Sequence, residues 1–386
     1  MIMTKLEQLI EELCPNGVEY LKIGEVVNYE QPSKYIVNST DYNDDFEVPV
    51  LTAGQTFILG YTNEKSGIYN ASKEAPVIIF DDFTGAFKWV DFPFKVKSSA
   101  MKILTVDDRK TFIRYIFHVM GHIGYSSTEH KRLWIGLYSE FEIPVPPLPV
   151  QSEIVRILDN FTELTAELTA ELTARTNQYK YYQQKLLSFD ANTPYTTLQE
   201  VADIYDSLHQ TPQYSNDGFS MIRVQDVKQG YIDTNNSLKV DEATYQIFIK
   251  KYKPQRNDIV VSRVGSYGNF ALIPNDGCCL GQNVAIIHSK ENAKFLYYIL
   301  TSEKIKTWID SNVKGASQKS FSLADIKRMP IPVIDLPEQE RIVAILDRFD
   351  VLCNDISAGL PAEIEARQKQ YEYYRDELLT FKEVSS

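Results

Sequence analysis

The sequence predicts an α+β protein in which two globular blocks of mixed α/β structure are separated by two long antiparallel coiled-coil helices, with an internal pseudo-two-fold repeat. Two pairs of similar segments predict the repeat. The segment IPVPPLPVQSEIVRILDNF at 143–161 returns as IPVIDLPEQERIVAILDRF at 331–349, a shift of 188 residues. The segment NQYKYYQQKLLSF at 177–189 returns as KQYEYYRDELLTF at 369–381, a shift of 192. A chain made of two similar halves indicates a bipartite binder rather than an enzyme with one pocket.

Weaker similarities extend the repeat through the rest of the chain. EYLKIGEV resembles PYTTLQEV at a shift of 175, and FIRYI resembles FLYYI at a shift of 183. VIIFDDFTGAFKWV also resembles VVSRVGSYGNFALI at a shift of 183, which matches Val77 with Val260. The shift therefore grows in order along the chain, through 175, 183, 188 and 192, as insertions within one of two homologous halves would make it grow.

These similarities predict five parts. They are an N-terminal helix at 1–18, a first block at 19–142, a central region with a long helix at 143–190, a second block at 191–328, and a C-terminal region with a long helix at 329–386. Within the blocks, PVIIF, DIVVS and NVAIIH are short apolar runs bounded by turn residues, which predicts strands. TFIRYIFHVMG and KFLYYILTSEKIKTWI carry apolar residues at i, i+3, i+4 and i+7, which predicts helices.

The long helices carry a coiled-coil seam. In the first helix the seam residues are Ile154, Phe161, Leu168, Arg175, Tyr182 and Phe189, and four positions on from each of the first five, Leu158, Thr165, Leu172, Tyr179 and Leu186. In the second helix they are Ile342, Leu346, Phe349, Cys353, Ile356 and Leu360, and then Ile364, Arg367, Tyr371, Tyr374, Leu378 and Phe381. Gly359 followed by Pro361 predicts a break, with Pro361 in the first turn of a new helix. Because single helices of this kind are marginal alone, we expect the two to pair with each other.

The first long helix also contains the sequence ELTA three times, at 163–166, 167–170 and 171–174. Each unit adds about 6 Å of helix and about 40° of rotation beyond a full turn. Two interpretations remain open from the periodicity alone. The repeats are either the product of replication slippage in a tolerant helix or an adjustable spacer between the two blocks.

Composition narrows the class of protein only in part. The 386 residues carry a net charge of −12 with a pI of about 5.1, which argues mildly against nucleic acid as a partner. Residues 205–330 differ, because they hold 16 Lys and Arg against 12 Asp and Glu, a net +4. No run approaches the roughly 18 apolar residues of a membrane span. Residues 1–13 show an acidic amphipathic pattern rather than a signal peptide. The four cysteines lack metal-binding spacing and are expected to be reduced thiols in a cytoplasm.

Both halves resemble the specificity (S) subunit of type I restriction–modification systems. The resemblance lies in the pattern P-x-x-x-L-P-x-Q-x-x-I-V-x-I-L-D-x-F followed by Q-Y-x-Y-Y-x-x-x-L-L-x-F, which occurs twice with a variable region ahead of each copy. The ELTA run is similar to short tandem repeats in the central helix of some members. The resemblance implies two target recognition domains, each reading one half of a split site in double-stranded DNA. Because the two blocks differ in sequence, we expect the two half-sites to differ, which makes the site asymmetric. It also implies that the helices dock two methyltransferase (M) subunits and that restriction (R) subunits can join the complex.

The resemblance further implies a chain without catalytic residues, cofactor or metal of its own, S-adenosylmethionine being expected in the partner M subunit. The sequence agrees, since it has no N-P-P-[FY] or D-P-P-Y run and no glycine-rich cofactor loop. The run GSYGN is interpreted as a turn rather than a phosphate loop. A protein-binding scaffold, with paired domains on a coiled-coil rod, is the alternative. A stand-alone nuclease or methyltransferase is disfavoured by the missing motifs.

Two pairs of residues have spacings that are also found in metal or catalytic sites. His118 and His122 lie four apart in a predicted helix, but no third ligand follows, so they are interpreted as buried or surface histidines. Asp81 and Asp82 are matched in the second half with Val264 and Gly265, which argues against a catalytic role common to both halves.

Candidate DNA-binding residues are the cationic and small polar residues of predicted loops, because these groups contact phosphates and base edges. In the first block they are Thr52, Gln55, Lys65, Tyr69, Thr84, Lys88, His130, Lys131 and Arg132. In the second block they are Arg223, Gln225, Lys250, Lys251, Lys253, Arg256, Arg263, Ser266, Tyr267, Gln318 and Lys319. At a shift of 188 the pair 130–131 aligns with the pair 318–319. Each half therefore has a polar residue and a lysine just ahead of its proline-rich lead-in, and this pair is the candidate DNA contact that the repeat supports best.

Overall fold

The structure is a computed structural model. It describes residues 4–54, 56–125, 131–228, 230, 232, 234, 236–313, 320–354 and 358–384. The chain divides into two compact units. Unit 1 contains residues 1–169 and 363–386, and unit 2 contains residues 170–362. The first block therefore belongs to unit 1 and the second block to unit 2, and the first long helix contributes to both.

The two halves contain the following secondary-structure elements. In the first half they are α1 (Lys5–Leu13), β1 (Tyr20–Lys22), α2 (Ile23–Val26), β2 (Val27–Glu30), β3 (Val48–Leu51), β4 (Ile58–Thr62), β5 (Val77–Asp81), β6 (Phe87–Val90), β7 (Lys95–Val96), β8 (Met101–Val106), α3 (Ile113–Ile123), β9 (Glu142–Pro144) and α4 (Leu148–Leu186). Short 3-10 turns lie at Pro32–Tyr35 and Tyr138–Glu140. Helix α1 begins at a capping box in which the Thr4 hydroxyl accepts from the Glu7 N–H and the Glu7 carboxylate accepts from the Thr4 N–H.

The second half repeats this order with additions. Its elements are β10 (Tyr195–Thr197), α5 (Leu198–Val201), β11 (Ala202–Asp206), β12 (Phe219–Ile222), β13 (Lys239–Val240), α6 (Glu242–Phe248), β14 (Ile259–Ser262), β15 (Phe270–Leu272), β16 (Cys278–Leu280), β17 (Val284–Ser289), α7 (Ala293–Leu300), α8 (Glu303–Asn312), α9 (Leu323–Lys327), β18 (Pro330–Pro332), α10 (Leu336–Asn354) and α11 (Leu360–Leu378). A 3-10 turn lies at Val224–Asp226. Side chains of Asp241, Asn292 and Ser302 cap the first turns of α6, α7 and α8.

The two blocks have the same sheet topology. A four-stranded antiparallel sheet has the order β2-β8-β5-β6 in the first block and β11-β17-β14-β15 in the second. A three-stranded sheet has the order β4-β3-β7 in one and β13-β12-β16 in the other, and its β3–β7 and β12–β16 pairs are parallel. A two-stranded ribbon, β1-β9 or β10-β18, stands beside each block. This agreement confirms the internal repeat.

Each block has three layers, because its central strands are buried on both faces. In β5, Ile78 and Phe80 pack with residues of α3, whereas Val77 and Ile79 pack towards the three-stranded sheet. Alternate residues of a strand point to opposite faces, so the continuous apolar run VIIF is explained by two covered faces. Strand β14 shows the same division. Ile259 and Val261 face the layer of α7, and Val260 faces the three-stranded sheet.

The strand register corrects two details of the predicted repeat. Ile78 pairs with Leu104 in the first block, and Ile259 pairs with Ile287 in the second, so β5 and β14 are equivalent at a shift of 181. The match of Val77 with Val260 was therefore wrong by two residues. Its cause is the turn after β14, which is two residues longer than the turn after β5, whereas Phe87 and Phe270 beyond it are equivalent at 183.

The same register changes the counterparts of the Asp81–Asp82 pair. Its structural counterparts are Ser262 and Arg263, not the residues 264–265 expected from the sequence. The shift also does not grow steadily, because β3 and β12 begin at 48 and 219, a shift of 171. The blocks differ most between β3 and β5, because a short loop joins β3 to β4 whereas a longer segment joins β12 to β13, and helix α6 follows β13 in the second block alone.

The predicted seam of the first long helix is confirmed. Every seam position from Ile154 to Phe189 is buried or half-buried. In unit 1, Phe161 of α4 stacks on Tyr374 of α11, with ring centroids 5.2 Å apart. In unit 2, Tyr179 of α4 stacks on Phe349 of α10 at 5.9 Å. In each unit, therefore, a seam residue of α4 packs on a seam residue of the second long helix, as the predicted pairing requires.

The predicted break in the second long helix is also confirmed. Helix α10 ends at Asn354 and α11 begins at Leu360, so Pro361 lies in the first turn of the new helix. The fixed φ angle of proline suits the first turn of a helix, and no hydrogen bond is lost because backbone N–H groups in that turn have no acceptor within the helix. The seam residue Ile356 lies outside the described residues.

Candidate nucleic-acid interface

Several strands of the first block end at one edge of its sheets. Strand β7 runs parallel to β3, and the Lys97 N–H just beyond it donates to the Leu51 carbonyl at 3.1 Å. The Asp82 N–H, just beyond β5, donates to the Ala100 carbonyl at 2.9 Å. These bonds bring the residues after β3, β5 and β7 together. We call this border the strand-end edge of the block. Thr52 and the β5–β6 turn with the exposed Thr84 lie on it.

A buried ion pair organises the strand-end edge of the first block. Lys102 Nζ lies 3.3 Å from Asp82 Oδ2, with side chains 2% and 3% exposed, and it also donates to the Gln31 side-chain oxygen. Asp82 accepts the N–H of Trp134 on Oδ1 and the N–H of Leu133 on its carbonyl oxygen, both at 2.8 Å. The ion pair therefore fixes the segment that carries the exposed residues 131–132 to the strand-end edge.

The second block has an equivalent strand-end edge. The Gly281 N–H donates to the Ile222 carbonyl, and the Arg263 N–H donates to the Asn283 carbonyl, both at 2.8 Å. Arg263 takes the place of Asp82, and its carbonyl accepts the Phe321 N–H at 2.8 Å, as the Asp82 carbonyl accepts that of Leu133. The segment ahead of each proline-rich lead-in is thus fixed at the same place in both blocks.

The segment ahead of the proline-rich lead-in is fixed by differently placed charged residues in the two blocks. Gln31, Asp82 and Lys102 of the first block correspond to Asp206, Arg263 and Ala285 of the second. The Arg263 guanidinium pairs with Asp206 and donates to the Phe321 carbonyl at 3.2 Å, and its side chain is 14% exposed. The cation therefore comes from β8 in one block and from the end of β14 in the other. Arg263 is engaged within the protein.

The strand-end edges collect about half of the sequence-predicted DNA-binding residues. Thr52, Thr84, Lys131, Arg132, Arg223, Gln225, Arg263, Ser266 and Tyr267 lie on them. Arg223 follows β12 as Thr52 follows β3, and its guanidinium is bound to Asp226 at 3.0 Å. Gln55, His130, Gln318 and Lys319 lie outside the described residues. DNA contact by each residue stays a prediction.

The remaining candidates lie elsewhere. Lys88 is half-buried within β6. Tyr69 is half-buried near the start of β7, where its ring packs on Tyr35 and Phe94 at 5.0 and 5.3 Å. Lys65 is exposed in the neighbouring loop. Tyr69 and Lys65 are at the opposite border from the strand-end edge, since β7 starts where Tyr69 pairs and ends where Lys97 follows it. Lys88 is the second residue of β6 and pairs with Ile79 inside the four-stranded sheet.

Sequence reasoning missed two polar residues of the strand-end edges. Lys97 is exposed after β7, with Nζ 5.9 Å from the centre of the Tyr42 ring. Gln282 is exposed after β16 and bonds to the Thr211 hydroxyl at 3.4 Å. Both residues come just after a short strand, and that position would have indicated them. The strands themselves are too short to be predicted from a sequence pattern, because β7 has two residues and β16 has three.

A buried cation also anchors the opposite border of the first block. Lys95 is 2% exposed, donates to the carbonyls of Ser66 and Gly67 at 2.8 and 3.1 Å, and lies 3.0 Å from a Glu64 oxygen. The Glu64 carboxylate also accepts from the backbone N–H groups of Asn38 and Ser39 and from the Asn38 side-chain amide. Two loops are thus held to the start of β7, and the loop with Lys65 has a defined shape.

The Glu64 carboxylate makes the stability of the first block depend on pH. Burial by itself raises its pKa, but the Ser39 N–H, the Lys95 ammonium and the Asn38 N–H lower the pKa to about 2. Since the ordinary value is 4.5, ionised Glu64 stabilises the fold above pH 4.5, and that stabilisation is lost as pH falls from 4.5 towards 2. Denaturant unfolding should show a stability difference between wild type and Glu64→Gln that narrows over this range. A difference that is independent of pH would contradict this assignment.

A strongly basic loop lies at the opposite border of the second block. Four exposed cations occur between α6 and β14: Lys250, Lys251, Lys253 and Arg256. This basic loop (residues 250–256) precedes β14, whereas Arg263 follows it, so the two lie at opposite ends of that strand. The structure therefore separates the basic loop from the candidates on the strand-end edge.

The basic loop is clamped by a buried acid. Asp258 is 3% exposed and accepts from the Tyr252 hydroxyl at 2.8 Å, the Gln255 N–H at 2.7 Å and the His288 ring at 2.7 Å. The Tyr252 ring also stacks on Tyr205, with centroids 4.0 Å apart. Two residues of the loop are thus fixed to the four-stranded sheet, so its lysines extend from an ordered backbone.

His118 and His122, the pair with metal-ligand spacing, form hydrogen bonds within the protein. His118 is fully buried and bonds to Asp159 at 2.8 Å and Tyr371 at 3.0 Å, and His122 bonds to Asp376 at 2.8 Å. Within the described ranges, no group of three or more His, Cys, Asp or Glu residues could hold a metal ion.

The four cysteine thiols, all of them described, are buried and free. None of the described helices is long and apolar enough to cross a membrane.

Known proteins share this architecture. Residues 15–178 and 194–366 match the type I restriction modification DNA specificity domain. The specificity subunit of the Escherichia coli type I restriction enzyme EcoR124I/EcoR124II is 44% identical over 398 residues, covering 98% of this chain and 97% of that protein.

Two solved structures agree in fold. A type I restriction–modification S subunit from M. genitalium has a TM-score of 0.61 at 13% identity, covering 94% of this chain and 96% of its own. A chain from work on complex assembly and conformational transition of the type I R-M system has a TM-score of 0.53 at 15% identity, covering 95% of this chain and 98% of its own. The duplicated domain match and the full-length identity settle the family: the chain belongs to the DNA specificity subunits of type I restriction–modification systems, a family of non-catalytic subunits.

Proposed function

We propose that this chain reads an asymmetric bipartite site in double-stranded DNA, with the strand-end edge of each block reading one half-site. The observation that carries the proposal is one block topology used twice with different side chains at the same edge. Thr52 and Arg223 occupy equivalent positions after β3 and β12, and the turn after β14 is longer than the turn after β5. Different donors and acceptors select different base pairs in the major groove, so two different half-sites are expected.

The half-sites should be separated by a gap of about half a helical turn or more, their centres lying near one helical turn apart. The long helix α4 contributes residues to both units, and we propose it as the spacer between the two half-site readers. The ELTA units supply the adjustable part, and the family resemblance favours this interpretation over neutral slippage. Each unit adds about 6 Å of helix, and base pairs are about 3.4 Å apart.

We propose two M subunits as partners, with R subunits able to join. S-adenosylmethionine would then be bound by the M subunits, where the methyl transfer takes place. The chain carries −12 overall, so much of the phosphate contact must come from cations of the partners and from local basic segments. Such a complex works in the cytoplasm, where the host DNA lies.

The basic loop of the second block is proposed to contact phosphates rather than bases, because it lies away from the strand-end edge. Each phosphate contact contributes about −0.9 to the slope of log K against log salt for double-stranded DNA. Replacing Lys251, Lys253 and Arg256 together by Gln should therefore make that slope shallower by about 2 to 3 in the complex with M subunits. The methylated sequence should be unchanged.

The control for this change is Lys306→Gln, which removes an exposed cation of α8 that is paired with Glu303. Its salt slope should equal that of the wild type. If the basic-loop variant instead keeps the wild-type slope and relaxes one half-site, the loop reads bases and its proposed role is wrong.

Methylation mapping tests the proposed function. The chain is co-expressed with its M subunit in a host that lacks DNA methylation, and modified adenines are located by sequencing the genome. One split motif with unequal halves and a fixed gap is expected. A soluble complex that leaves the genome unmodified would favour a protein-binding scaffold instead.

A further inference from the structure

In each unit, the helix that covers the recognition block is held to a long helix by one aspartate. Asp159 of α4 and Asp347 of α10 are equivalent residues at the shift of 188. Both lie in the repeated lead-in helix, and neither is on a strand-end edge. Each accepts bonds from the covering helix, α3 in unit 1 and α7 in unit 2. We call these two contacts the joints.

The joint of unit 1 is a network of four side chains. Asp159 Oδ1 lies 2.7 Å from Arg114 Nε and 2.8 Å from His118 Nε2. The other ring nitrogen of His118 bonds to the Tyr371 hydroxyl of α11 at 3.0 Å. Burial, the largest influence, lowers the pKa of His118, so a neutral ring donates to Asp159 and accepts from Tyr371. One side chain of α3 is therefore bound to both long helices.

The joint of unit 2 uses other donors. Lys294 Nζ lies 2.5 Å from Asp347 Oδ2, and the Tyr298 hydroxyl donates to Oδ1 at 2.7 Å. The Tyr298 side chain is buried, and Lys294 is half exposed. Both oxygens of this carboxylate are engaged, which fixes its orientation as well as its position.

The two donor residues are equally far apart in both joints, but they occupy different positions along the covering helix. The donors are four residues apart in both, Arg114 with His118 and Lys294 with Tyr298, so they lie on one face of one helical turn. At the shift of 183 that relates the covering helices, Tyr298 corresponds to Tyr115, three residues before His118. The acid is thus retained in both halves while its donors have moved by about one turn.

We infer that Asp159 and Asp347 are positioning residues that fix the angle of each recognition block on the long helices and so restrict the complex to one gap length. This inference rests on the proposed reading of a bipartite site. Apolar packing alone tolerates small rotations, because it is not directional, whereas charge-assisted hydrogen bonds are directional. Without the joints the half-sites should be read as before, but at more than one separation.

The test is methylation mapping of the full chain with M subunits, comparing wild type with Asp347→Asn and Asp159→Asn. Wild type should give one gap. The variants should retain both half-sites and methylate sites with the wild-type gap and with a gap one base pair longer or shorter. In binding to duplexes of both lengths, the preference for the wild-type gap should fall by about tenfold, the size of one charge-assisted hydrogen bond.

Glu340→Gln is the matched control, because it removes one carboxylate from the exposed face of α10 and should keep the single gap. Tyr298→Phe is the milder second variant, since it removes one donor and keeps the packed ring, and it should give a smaller spread of gaps.

A single unchanged gap in Asp347→Asn and Tyr298→Phe, or a changed half-site sequence in either, would overturn the inference. If Asp347→Asn does not assemble with M subunits, the outcome with Tyr298→Phe decides. A wild type without any split motif would refute the proposed function itself, which is a separate result.

Discussion

A chain with one additional ELTA unit in α4 should methylate a motif with the same two half-sites and a gap longer by about one base pair. Four residues add about 6 Å of helix, and one base pair spans about 3.4 Å, so the geometry allows one or two base pairs. The family resemblance favours one. Leu164, Leu168 and Leu172 are all half-buried, and an inserted unit supplies another leucine at the same spacing of four.

The measurement is sequencing of methylated adenines for the insertion, for the deletion of one unit and for Glu167→Gln. The substitution keeps the length of α4 and changes only an exposed side chain, so it should leave the gap unchanged. Deletion should shorten the gap. An insertion that keeps the gap, or that alters either half-site, would show that α4 does not set the spacing.

Replacement of Asp82 by Ala should lower the free energy of unfolding of unit 1 by about 3 to 5 kcal/mol, the usual cost of breaking one buried ion pair from one side. Lys102 would remain buried, 2% exposed, without its carboxylate. The N–H of Trp134 would lose its acceptor as well. The segment fixed by these bonds belongs to the strand-end edge, so the half-site of the first block should be lost and that of the second kept.

Denaturant unfolding of three variants separates the causes. Asp82→Ala with Lys102→Met removes both charges and should recover most of the lost stability, because an apolar pair avoids an unpaired buried ammonium. Asp107→Ala is the control, since its partner Arg109 is 87% exposed and the loss should change stability little. The assignment is wrong if Asp82→Ala and Asp107→Ala prove equally stable.

The long helices are predictable from the sequence, because a seam recurs every seven residues and needs no knowledge of distant contacts. The seam positions on α4 and the break between Gly359 and Pro361 were correct for this reason. The single helix predicted for KFLYYILTSEKIKTWI is wrong, because α7 ends at Leu300 and the Ser302 hydroxyl caps a separate helix, α8.

The residue-by-residue match between strands of the two blocks is harder to predict from the sequence. The match of Phe87 with Phe270 is correct, but the longer turn after β14 displaces the match of β5 with β14 by two residues, and only the ladder of backbone bonds reveals this.

The candidate site was predictable only by residue type. The sequence predicts that Lys and Arg in loops are surface cations, yet Arg263 is bound to Asp206 and the Phe321 carbonyl inside its block. Lys102 is buried in a strand and is not among the sequence-predicted residues, although it organises the edge of the first block. Both pairings join residues far apart in sequence, so no local pattern indicates them. The same is true of the hydrogen bonds in the two joints.

The central claim is that each block alone selects one half-site, and replacing one block tests it most directly. Residues 191–328 are exchanged for a second copy of residues 19–142, the chain is co-expressed with M subunits, and methylated adenines are mapped. The account predicts a motif in which both half-sites equal one half of the wild-type motif, while the other half disappears. A motif that keeps both wild-type halves would contradict it, because sequence choice would then reside outside the blocks.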